Sequence, residues 1–477
     1  MSGCSTKAPD DSLAHIQAVE NNLRPAMYIK DQPLPALNIL DRMKHYKVPG
    51  VSVAVIYEGK IEWAKGYGVK EAEGGDPVTP ETLFQAASIS KPIASLGVLH
   101  LVDEGLLDLD APVNDKLQSW KVPENEFTAK EKVTLRRLLT HSAGLTVHGF
   151  PGYAASKEFP TTVQVLDGEK PANTPPVRVD ILPGSQWRYS GGGYTVAQLL
   201  VADVSGRPFP DYMKATVLDA IGMADSTFQQ PLTPEKAVQA ASAHRGNGKV
   251  IKGKWHVYPE MAAAGLWTTP SDLCLYAIEI QRSLSGQSNK VISRSLTEQM
   301  LSPGIGGHGL GPALSGSGEN RTFSHGGSNM GFKCQMIAFA DKGQGAAVMT
   351  NADRGGELAD EILRSIASVY GWSDYQSKEV AVIEIDPAKL EPYIGDFRLD
   401  SQPNMPILVS IEEGRLCVKS MATGKMSLLP MSETEFVYLE GGIFFTFVRG
   451  ADKSINQIKV RPADSSMEML FSRKKEE

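Results

Sequence analysis

The stretch from Ser88 to Glu104 is apolar on almost every side of a helix, and it constrains the fold more than any other part of the sequence. Seven apolar side chains cover most of its circumference: Ile89, Ile93, Leu96, Val98, Leu99, Leu101 and Val102. A helix of this kind belongs inside a large domain. Pro92 falls in its first turn, where a missing N–H costs nothing, and Gly105 ends it. The sequence therefore predicts a buried central helix.

Three polar side chains interrupt this apolar surface. Ser88, Lys91 and Ser95 share one face, because they lie at offsets of three and seven. Burial disfavours the charged form of a lysine, and a neutral amine can take the proton of a hydroxyl group. Ser88 and Lys91 are therefore candidates for a nucleophile and its proton acceptor. A second interpretation stays open, because a serine cap followed by a lysine that reaches solvent has the same sequence pattern.

Composition excludes several classes of function. A chain of 477 residues predicts two or three domains. The net charge of −7 and the lack of a long basic run predict no nucleic-acid partner. No stretch approaches the roughly 20 apolar residues that span a bilayer, so no transmembrane segment is expected. The four cysteines have neither metal-binding spacing nor the density of a disulfide framework, and no metal or organic cofactor is expected.

The first residues, Met1-Ser2-Gly3-Cys4, resemble the end of a bacterial lipoprotein cleavage site. A lipid anchor at Cys4 and a periplasmic or cell-envelope location are therefore expected. No charged and apolar signal region precedes Cys4, so an ordinary cytoplasmic N-terminus is the alternative.

Periodicity and turn signals predict an α/β (α+β) protein with an antiparallel sheet flanked by helices. A β-hairpin is predicted at Val51–Tyr57 and Ile61–Val69, and three further antiparallel strands at Thr322–Ser328, Phe332–Ala340 and Gly345–Thr350. Helices are predicted at 12–47, Thr134–Thr140, Tyr194–Val204, Asp211–Ile221 and Glu357–Tyr370, and another that Thr269 or Ser271 caps. Residues 149–183 are predicted to form an irregular lobe at the rim of the site.

The composition changes near Ser377. From Ile407 onward about six short strands alternate with turn signals, as in a small barrel or sandwich. The predicted domains are therefore 12–376 and an all-β domain at 385–477.

Three motifs follow one another in the order Ser88-x-x-Lys91, Tyr189-Ser190-Gly191 and His325-Gly326-Gly327. In this order they resemble the class C branch of the β-lactamases and penicillin-binding proteins, which includes family VIII carboxylesterases and D-aminopeptidases. The resemblance implies a β-lactamase/transpeptidase-like domain with an α-helical subdomain. The part that begins at Tyr393 looks like the lipocalin-like domain often appended to such hydrolases. No Gly-x-Ser-x-Gly motif occurs, which argues against an α/β-hydrolase.

The resemblance implies a role for each matching residue. Ser88 would be the acylated nucleophile, and Lys91 and Tyr189 would pass its proton and later activate water. The N–H groups of Ser88 and Ser328 would form the oxyanion hole. The remaining implied residues are catalytic His325 and the substrate-binding residues Gly191, Gly326, Gly327 and Trp267, although core packing would also explain Trp267. His141 is interpreted as a structural residue that positions its loop.

Two residues depart from the family pattern. Gly191 stands where the family has an asparagine, so a contact to a substrate amide is missing unless Asn329 or Asn351 replaces it. His325 stands where β-lactamases carry a lysine, and histidine is largely neutral at pH 7. Both changes favour esterases and D-specific amidases or peptidases over efficient turnover of β-lactams.

The leading hypothesis is therefore a serine hydrolase that forms an acyl-enzyme on a small-molecule ester, amide or β-lactam. The alternative is a penicillin-recognising binding or sensor protein that is acylated without efficient turnover. A third hypothesis is an inactive scaffold whose β domain binds a ligand or partner. The sequence leaves the substrate's stereochemistry and the oligomeric state open.

Overall fold

The computed structural model describes residues 11–420, 424–450, 454–463 and 468–474. The predicted lipid anchor at Cys4 lies outside the described residues. Among those that are described, no helix has the length and apolar character needed to cross a bilayer. Two compact units are present: residues 40–359 form one, and the residues before 40 together with those after 359 form the other. The predicted first domain, 12–376, is longer than the unit of residues 40–359, because residues 12–39 and 360–376 belong to the other unit.

The α-helices, α1 to α13 in chain order, are Asp11–Glu20, Ile39–Tyr46, Ser90–Asp103, Leu135–Leu139, Thr162–Asp167, Gly191–Ser205, Phe209–Met213, Asp219–Ile221, Pro234–Ala237, Met261–Ala264, Pro270–Leu284, Arg294–Met300 and Gly355–Val369. The strands, β1 to β21, are Met27–Ile29, Gly50–Tyr57, Lys60–Gly68, Phe84–Gln85, Tyr153–Ala154, His256–Val257, Trp267–Thr268, Ala313–Ser315, Thr322–Asn329, Phe332–Phe339, Gly345–Thr350, Lys378–Val380, Gly395–Leu399, Gln402–Glu412, Arg415–Ser420, Gly424–Ser427, Leu429–Pro430, Glu435–Tyr438, Ile443–Arg449, Ile455–Pro462 and Met469–Arg473.

A six-stranded antiparallel sheet organises the unit of residues 40–359. Its strand order is β3-β2-β11-β10-β9-β8. The predicted hairpin forms β2 and β3, and the three predicted later strands form β9, β10 and β11. The predicted sheet is therefore confirmed.

Helix α3 is the predicted central helix. Every residue from Ser90 to Leu99 is buried, and so is Leu101. The α-helix begins at Ser90, later than predicted, because a 3₁₀ turn, Ala87–Ile89, precedes it and holds Ser88. The prediction of a buried helix is confirmed, whereas Ser88 lies in the turn that leads into it.

Other helix predictions need correction. Residues 12–47 do not form one helix, because β1 and extended segments separate α1 from α2. The predicted helix Asp211–Ile221 contains a π-helical turn, Lys214–Leu218, between α7 and α8. Thr269 caps α11 by accepting a hydrogen bond from the N–H of Asp272, so Ser271 is not the cap.

The second unit contains a nine-stranded antiparallel sheet in the order β16-β15-β14-β13-β21-β20-β19-β18-β17. Its edge strands, β16 and β17, are separated only by Leu428, which brings the two edges close and makes the sheet a nearly closed barrel. The predicted all-β architecture is confirmed, and its likeness to lipocalins stays a prediction.

The N-terminal segment completes this second unit. Strand β1 pairs in parallel with β12, so that Met27 lies beside Lys378. The N–H of Met27 also donates to the carbonyl of Leu439 at 3.1 Å. Ala26, Met27, Val380 and Val437 bury one another in a small apolar cluster.

Candidate active site

Ser88 lies at the centre of a tightly held turn. The preceding residue, Ala87, has a left-handed backbone with φ of +49°. Such a conformation costs about 1–3 kcal/mol outside glycine and persists only where the surroundings enforce it. The N–H of Ala86 donates to the carbonyl of Leu266 at 2.9 Å, and the Cys334 thiol donates to the carbonyl of Ala86 at 3.0 Å. The turn therefore presents Ser88 from a fixed backbone.

Lys91 contacts Ser88 directly. Its side chain is only 2% exposed. Its Nζ donates to the Ser88 Oγ at 3.2 Å and to the carbonyl of Ala263 at 2.8 Å. The same Nζ lies 4.8 Å from the centre of the Tyr189 ring. The structure thus brings Tyr189, which is far away in the sequence, next to Lys91, and Lys91 in turn contacts Ser88.

Asn329 links the segments around Lys91 through hydrogen bonds. Its Nδ2 donates to the Gln85 Oε1 at 2.8 Å and to the carbonyl of Ala264 at 3.1 Å. These bonds join the end of β9 to the strand before Ser88 and to α10, which carries the Ala263 acceptor. Because its amide is used in this way, Asn329 does not replace the asparagine that Gly191 lacks.

Asn351 is also used by the scaffold. Its Oδ1 accepts from the N–H of Gly50 at 2.8 Å, and its Nδ2 donates to the carbonyls of Val69 and Lys70 at 3.3 and 3.0 Å. Neither asparagine named from the sequence is therefore placed to bind a substrate amide.

His141 holds Tyr189 from both sides. Its carbonyl accepts from the N–H of Arg188 at 2.8 Å, and its Nδ1 accepts from the N–H of Ser190 at 3.1 Å. The imidazole centre is 4.2 Å from the centre of the Tyr189 ring. Burial, helped by the charge of Lys91, lowers the pKa of His141 well below its usual value. A neutral His141 that accepts at Nδ1 carries its proton on Nε2.

Three further histidines lie next to Tyr189 or to its neighbour Trp187. The ring centres of His148 and His325 lie 4.8 and 6.3 Å from that of Tyr189. His308 stacks on Trp187 at 5.2 Å. Burial lowers the pKa of His308 to about 4 and, with the charge of Lys91, that of His325 to about 3. The imidazoles are therefore neutral at pH 7, and none supplies a positive charge to a substrate.

His325 presents an acceptor to the site. Its Nδ1 lies 2.7 Å from the carbonyl of Gly326 and must donate to it, so the proton is on Nδ1. Its Nε2 is buried without a hydrogen-bond partner. A lysine at this position would offer three N–H donors and a charge, whereas His325 offers a lone pair.

The turn that holds Ser88, Ala87–Ile89, is called the nucleophile turn. Strand β9 approaches it through Gly327. A Cβ atom at Gly327 would collide with the carbonyl oxygen of Ala86 and with the Cys334 Sγ. This glycine is therefore needed for the contact between two protein segments, and its role in substrate binding stays a prediction. Gly326 and Ser328 lie on the exposed side of the strand, and Ser328 Oγ accepts from Lys333 Nζ. The role of the Ser328 N–H in an oxyanion hole stays a prediction.

An open edge of β9 adjoins these residues. Strand β8 pairs only with Thr322, Phe323 and Ser324. His325 to Asn329 therefore continue the strand along a side that β8 does not cover. Such an edge offers backbone N–H and C=O groups to an extended ligand.

Gly191 begins α6 beneath a neighbouring loop. A Cβ atom at Gly191 would lie 2.9 Å from the Phe150 Cε2 and 3.1 Å from the carbonyl oxygen of His148. Loop atoms thus fill the space into which a side chain at 191 would extend. Trp267 is 0% exposed and packs edge to face against Phe332 and Trp255. Because Trp267 is fully buried, core packing explains this residue better than the predicted contact with substrate does.

Within the described part of the chain, no group of three or more histidine, cysteine, aspartate or glutamate side chains is arranged to hold a metal ion.

Comparison with known proteins places these residues in a family. A family model described as Beta-lactamase matches residues 36–370, more than two thirds of the chain. Esterase EstB of Burkholderia gladioli is 30% identical over 195 residues, which cover 39% of this chain and 48% of the esterase. Protein flp of Staphylococcus aureus (strain MW2) is 24% identical over 272 residues, which cover 54% of this chain and 51% of that protein. The chain spans about half the length of these curated relatives.

Solved structures share the fold. The octameric penicillin-binding protein homologue from Pyrococcus abyssi has a TM-score of 0.60 at 21% identity and covers 91% of this chain and 98% of its own. D-amino acid amidase from Ochrobactrum anthropi SV3 has a TM-score of 0.59 at 20% identity and covers 76% of this chain and 98% of its own. At these identities the likeness shows the fold alone, and it confirms the β-lactamase/transpeptidase-like architecture.

Proposed function

The chain belongs to the beta-lactamase family, and on that premise we propose that it is a serine hydrolase that cleaves uncharged esters or amides through an acyl-enzyme at Ser88. One observation carries the proposal: Lys91 Nζ lies 3.2 Å from the Ser88 Oγ and beside the Tyr189 ring. A hydroxyl in contact with an amine that can take its proton is equipped for nucleophilic catalysis. Family members named as an esterase and a D-amino acid amidase are consistent with either bond type.

The proposed reaction has two halves. The Ser88 Oγ attacks the substrate carbonyl, and its proton passes to the Lys91–Tyr189 pair. That proton then moves to the leaving oxygen or nitrogen as its bond to carbon breaks, which leaves an acyl ester on Ser88. Water attacks this ester, gives a proton to the same pair and releases the carboxylic acid as the proton returns to the Ser88 Oγ. Backbone N–H donors at the oxyanion would each contribute about 3 kcal/mol.

The charge of the site supports an uncharged substrate. His325 replaces the cation that would pair with a substrate carboxylate, and burial holds its pKa at about 3. A carboxylate brought beside a neutral imidazole would lose its hydration without gaining an ion pair. We therefore expect neutral acyl groups to be preferred over the charged acyl groups of β-lactams.

A labelling experiment tests this function. The full chain is treated with a fluorophosphonate, and hydrolysis of p-nitrophenyl butyrate is measured for the wild type and Ser88→Ala. We expect the wild type to gain the phosphonate mass on Ser88 and to hydrolyse the ester, and the variant to lose about a thousand-fold or more in kcat. Both proteins should show the same unfolding transition.

Two outcomes would contradict the proposal. Ester hydrolysis that survives in Ser88→Ala would place the reaction elsewhere. A stable penicillin adduct on Ser88, without turnover of any ester, would instead favour a penicillin-recognising sensor.

A further inference from the structure

The loop Thr146–Phe150, called here the 146–150 loop, is docked onto the first turn of α6. Hydrogen bonds pair the two segments: Ser190 Oγ with the Thr146 carbonyl at 2.8 Å, Gly192 N–H with the Val147 carbonyl at 3.0 Å, and Gly191 N–H with the His148 carbonyl at 3.0 Å. Gly193 N–H donates to the Ser190 Oγ at 3.0 Å. The N–H groups that usually remain free at a helix start are thus used to hold this loop.

The backbone of the loop is strained. Val147 has φ of +62°, although its branched Cβ strongly disfavours the left-handed region. Strain of about 1–3 kcal/mol persists only where the surroundings enforce it, and it concentrates at functional sites. The Thr146 N–H donates to the Arg178 carbonyl at 2.8 Å, and the Asn173 Nδ2 donates to the Gly152 carbonyl at 3.0 Å. Both ends of the loop are therefore anchored, and the position of His148 is fixed.

His148 is the polar side chain that this loop brings to Tyr189. The two ring centres are 4.8 Å apart, and His148 is exposed to solvent. Among the described residues its imidazole makes no hydrogen bond. Neighbouring protein atoms and the charge of Lys91 lower the pKa of His148. At pH 7 its ring therefore offers one N–H donor and one nitrogen acceptor beside the reacting groups.

The 146–150 loop also determines which residue can contact a ligand beside Tyr189. Phe150 and the His148 carbonyl fill the space next to Gly191, so a side chain at 191 would have to displace the loop. A polar contact to a ligand beside Tyr189 can instead come from the loop. Within the loop, the Thr146 hydroxyl already donates to the Pro176 carbonyl and accepts from the Arg178 N–H, Val147 and Phe150 are apolar, and Gly149 has no side chain. His148 is therefore the polar side chain of the loop that remains available to a ligand.

We propose that His148 is a substrate-binding residue that selects acyl groups with an amide next to the scissile carbonyl. A neutral imidazole and an amide each carry one donor and one acceptor side, so they can form hydrogen bonds without a charge. A buried ion pair is not required, which agrees with the neutral histidines around the site. This inference rests on the proposed function.

Two esters of similar length test it. N-acetylglycine p-nitrophenyl ester carries the amide and has no stereocentre, and p-nitrophenyl butyrate lacks the amide. The value of kcat/KM is measured for the wild-type chain, His148→Ala and His148→Gln, with His45→Ala as a control at an exposed histidine of α2. A net hydrogen bond of about 1–1.5 kcal/mol corresponds to roughly a tenfold effect.

We expect His148→Ala to lose about tenfold on the N-acetylglycyl ester, mainly in KM, and less than about twofold on the butyrate. His148→Gln should recover most of this loss, because its side-chain amide keeps one donor and one acceptor. Equal losses on both esters would show that His148 only positions Tyr189, and unchanged values would show that it contacts no substrate. Either result overturns the inference while the proposed function stands. If the wild type hydrolyses neither ester, the result contradicts both the inference about His148 and the proposed function.

Discussion

Glu260 shows how a single buried group can make this protein sensitive to pH. It immediately precedes α10, the helix whose Ala263 carbonyl accepts from Lys91. Its side chain is 0% exposed, and its Oε2 has no hydrogen-bond partner. Burial raises the pKa of Glu260 from 4.5 to about 7. The folded protein therefore holds this proton more tightly than the unfolded chain does.

The sign of the effect on stability follows from that pKa. Glu260 contributes its full stabilisation below about pH 4.5, and this is lost as the pH rises through about 7. The glutamine side chain of Glu260→Gln cannot lose a proton, so the variant should not show this decrease in stability as the pH rises. We expect the free energy of unfolding of the variant, relative to wild type, to rise by about 2–3 kcal/mol between pH 5 and pH 8. Urea unfolding at the two pH values measures this, and parallel pH dependence of both proteins would contradict it.

At the scale of residues, helical spacing identified Ser88 and Lys91 as candidates, and the order of the three motifs added Tyr189 through the family resemblance. The sequence predicted a structural role for His141 but not its partner, since the bond from Ser190 N–H to its Nδ1 joins segments 49 positions apart. It also could not distinguish the buried Trp267 from a pocket residue. A tryptophan in an apolar stretch has the same sequence signal in either place.

Among the elements, the contact between β9 and the nucleophile turn is the most demanding. We expect Gly327→Ala to destabilise the protein by about 1–3 kcal/mol, because its Cβ would collide with the Ala86 backbone and force the two segments apart. The same displacement should slow fluorophosphonate labelling of Ser88. Chemical unfolding and the labelling rate measure the two effects.

Gly326→Ala is the matched control for this substitution. Its Cβ would meet the end of the Gln335 side chain at 2.8 Å, and that group can rotate away. Stability should therefore change little. If both variants unfold at the same denaturant concentration, Gly327 is not needed for the close approach of β9.

Elements with regular periodicity were predicted well from the sequence, and irregular ones were not. The apolar surface of α3 and the β-rich segments that form β9 to β11 are visible in the local sequence. The 3₁₀ turn at Ala87–Ile89 and the π-helical turn at Lys214–Leu218 have no such local sequence pattern. The prediction of one helix over 12–47 was wrong because β1 gains its partner from Lys378–Val380, far along the chain.

For the whole molecule, the second unit depends on residues from both ends of the described chain. Met27 is fully buried in the cluster with Val380 and Val437. Met27→Ala should therefore destabilise this unit by about 2–5 kcal/mol, the usual cost of removing a large buried side chain. Scanning calorimetry should show one transition shifted to lower temperature. Fluorophosphonate labelling of Ser88 below that transition should be retained.

Leu13→Ala serves as the control, because Leu13 is 56% exposed. It should leave both the calorimetric transitions and the labelling unchanged. A Met27→Ala protein that melts like the wild type would mean that β1 contributes nothing to the stability of the second unit.

The pairing of Met27 with Lys378 and Leu439 has a consequence for how the protein is made in the cell. The ribosome releases strand β1 early, but the last of its partners follows about 400 residues later, which takes roughly 20–80 s at ordinary rates of translation. During that interval residues 40–359 have already emerged, whereas β1 still lacks its place. Until synthesis is almost finished, β1 is therefore an apolar segment without its native partners. We expect a chaperone that binds short apolar peptides to bind the nascent chain at β1.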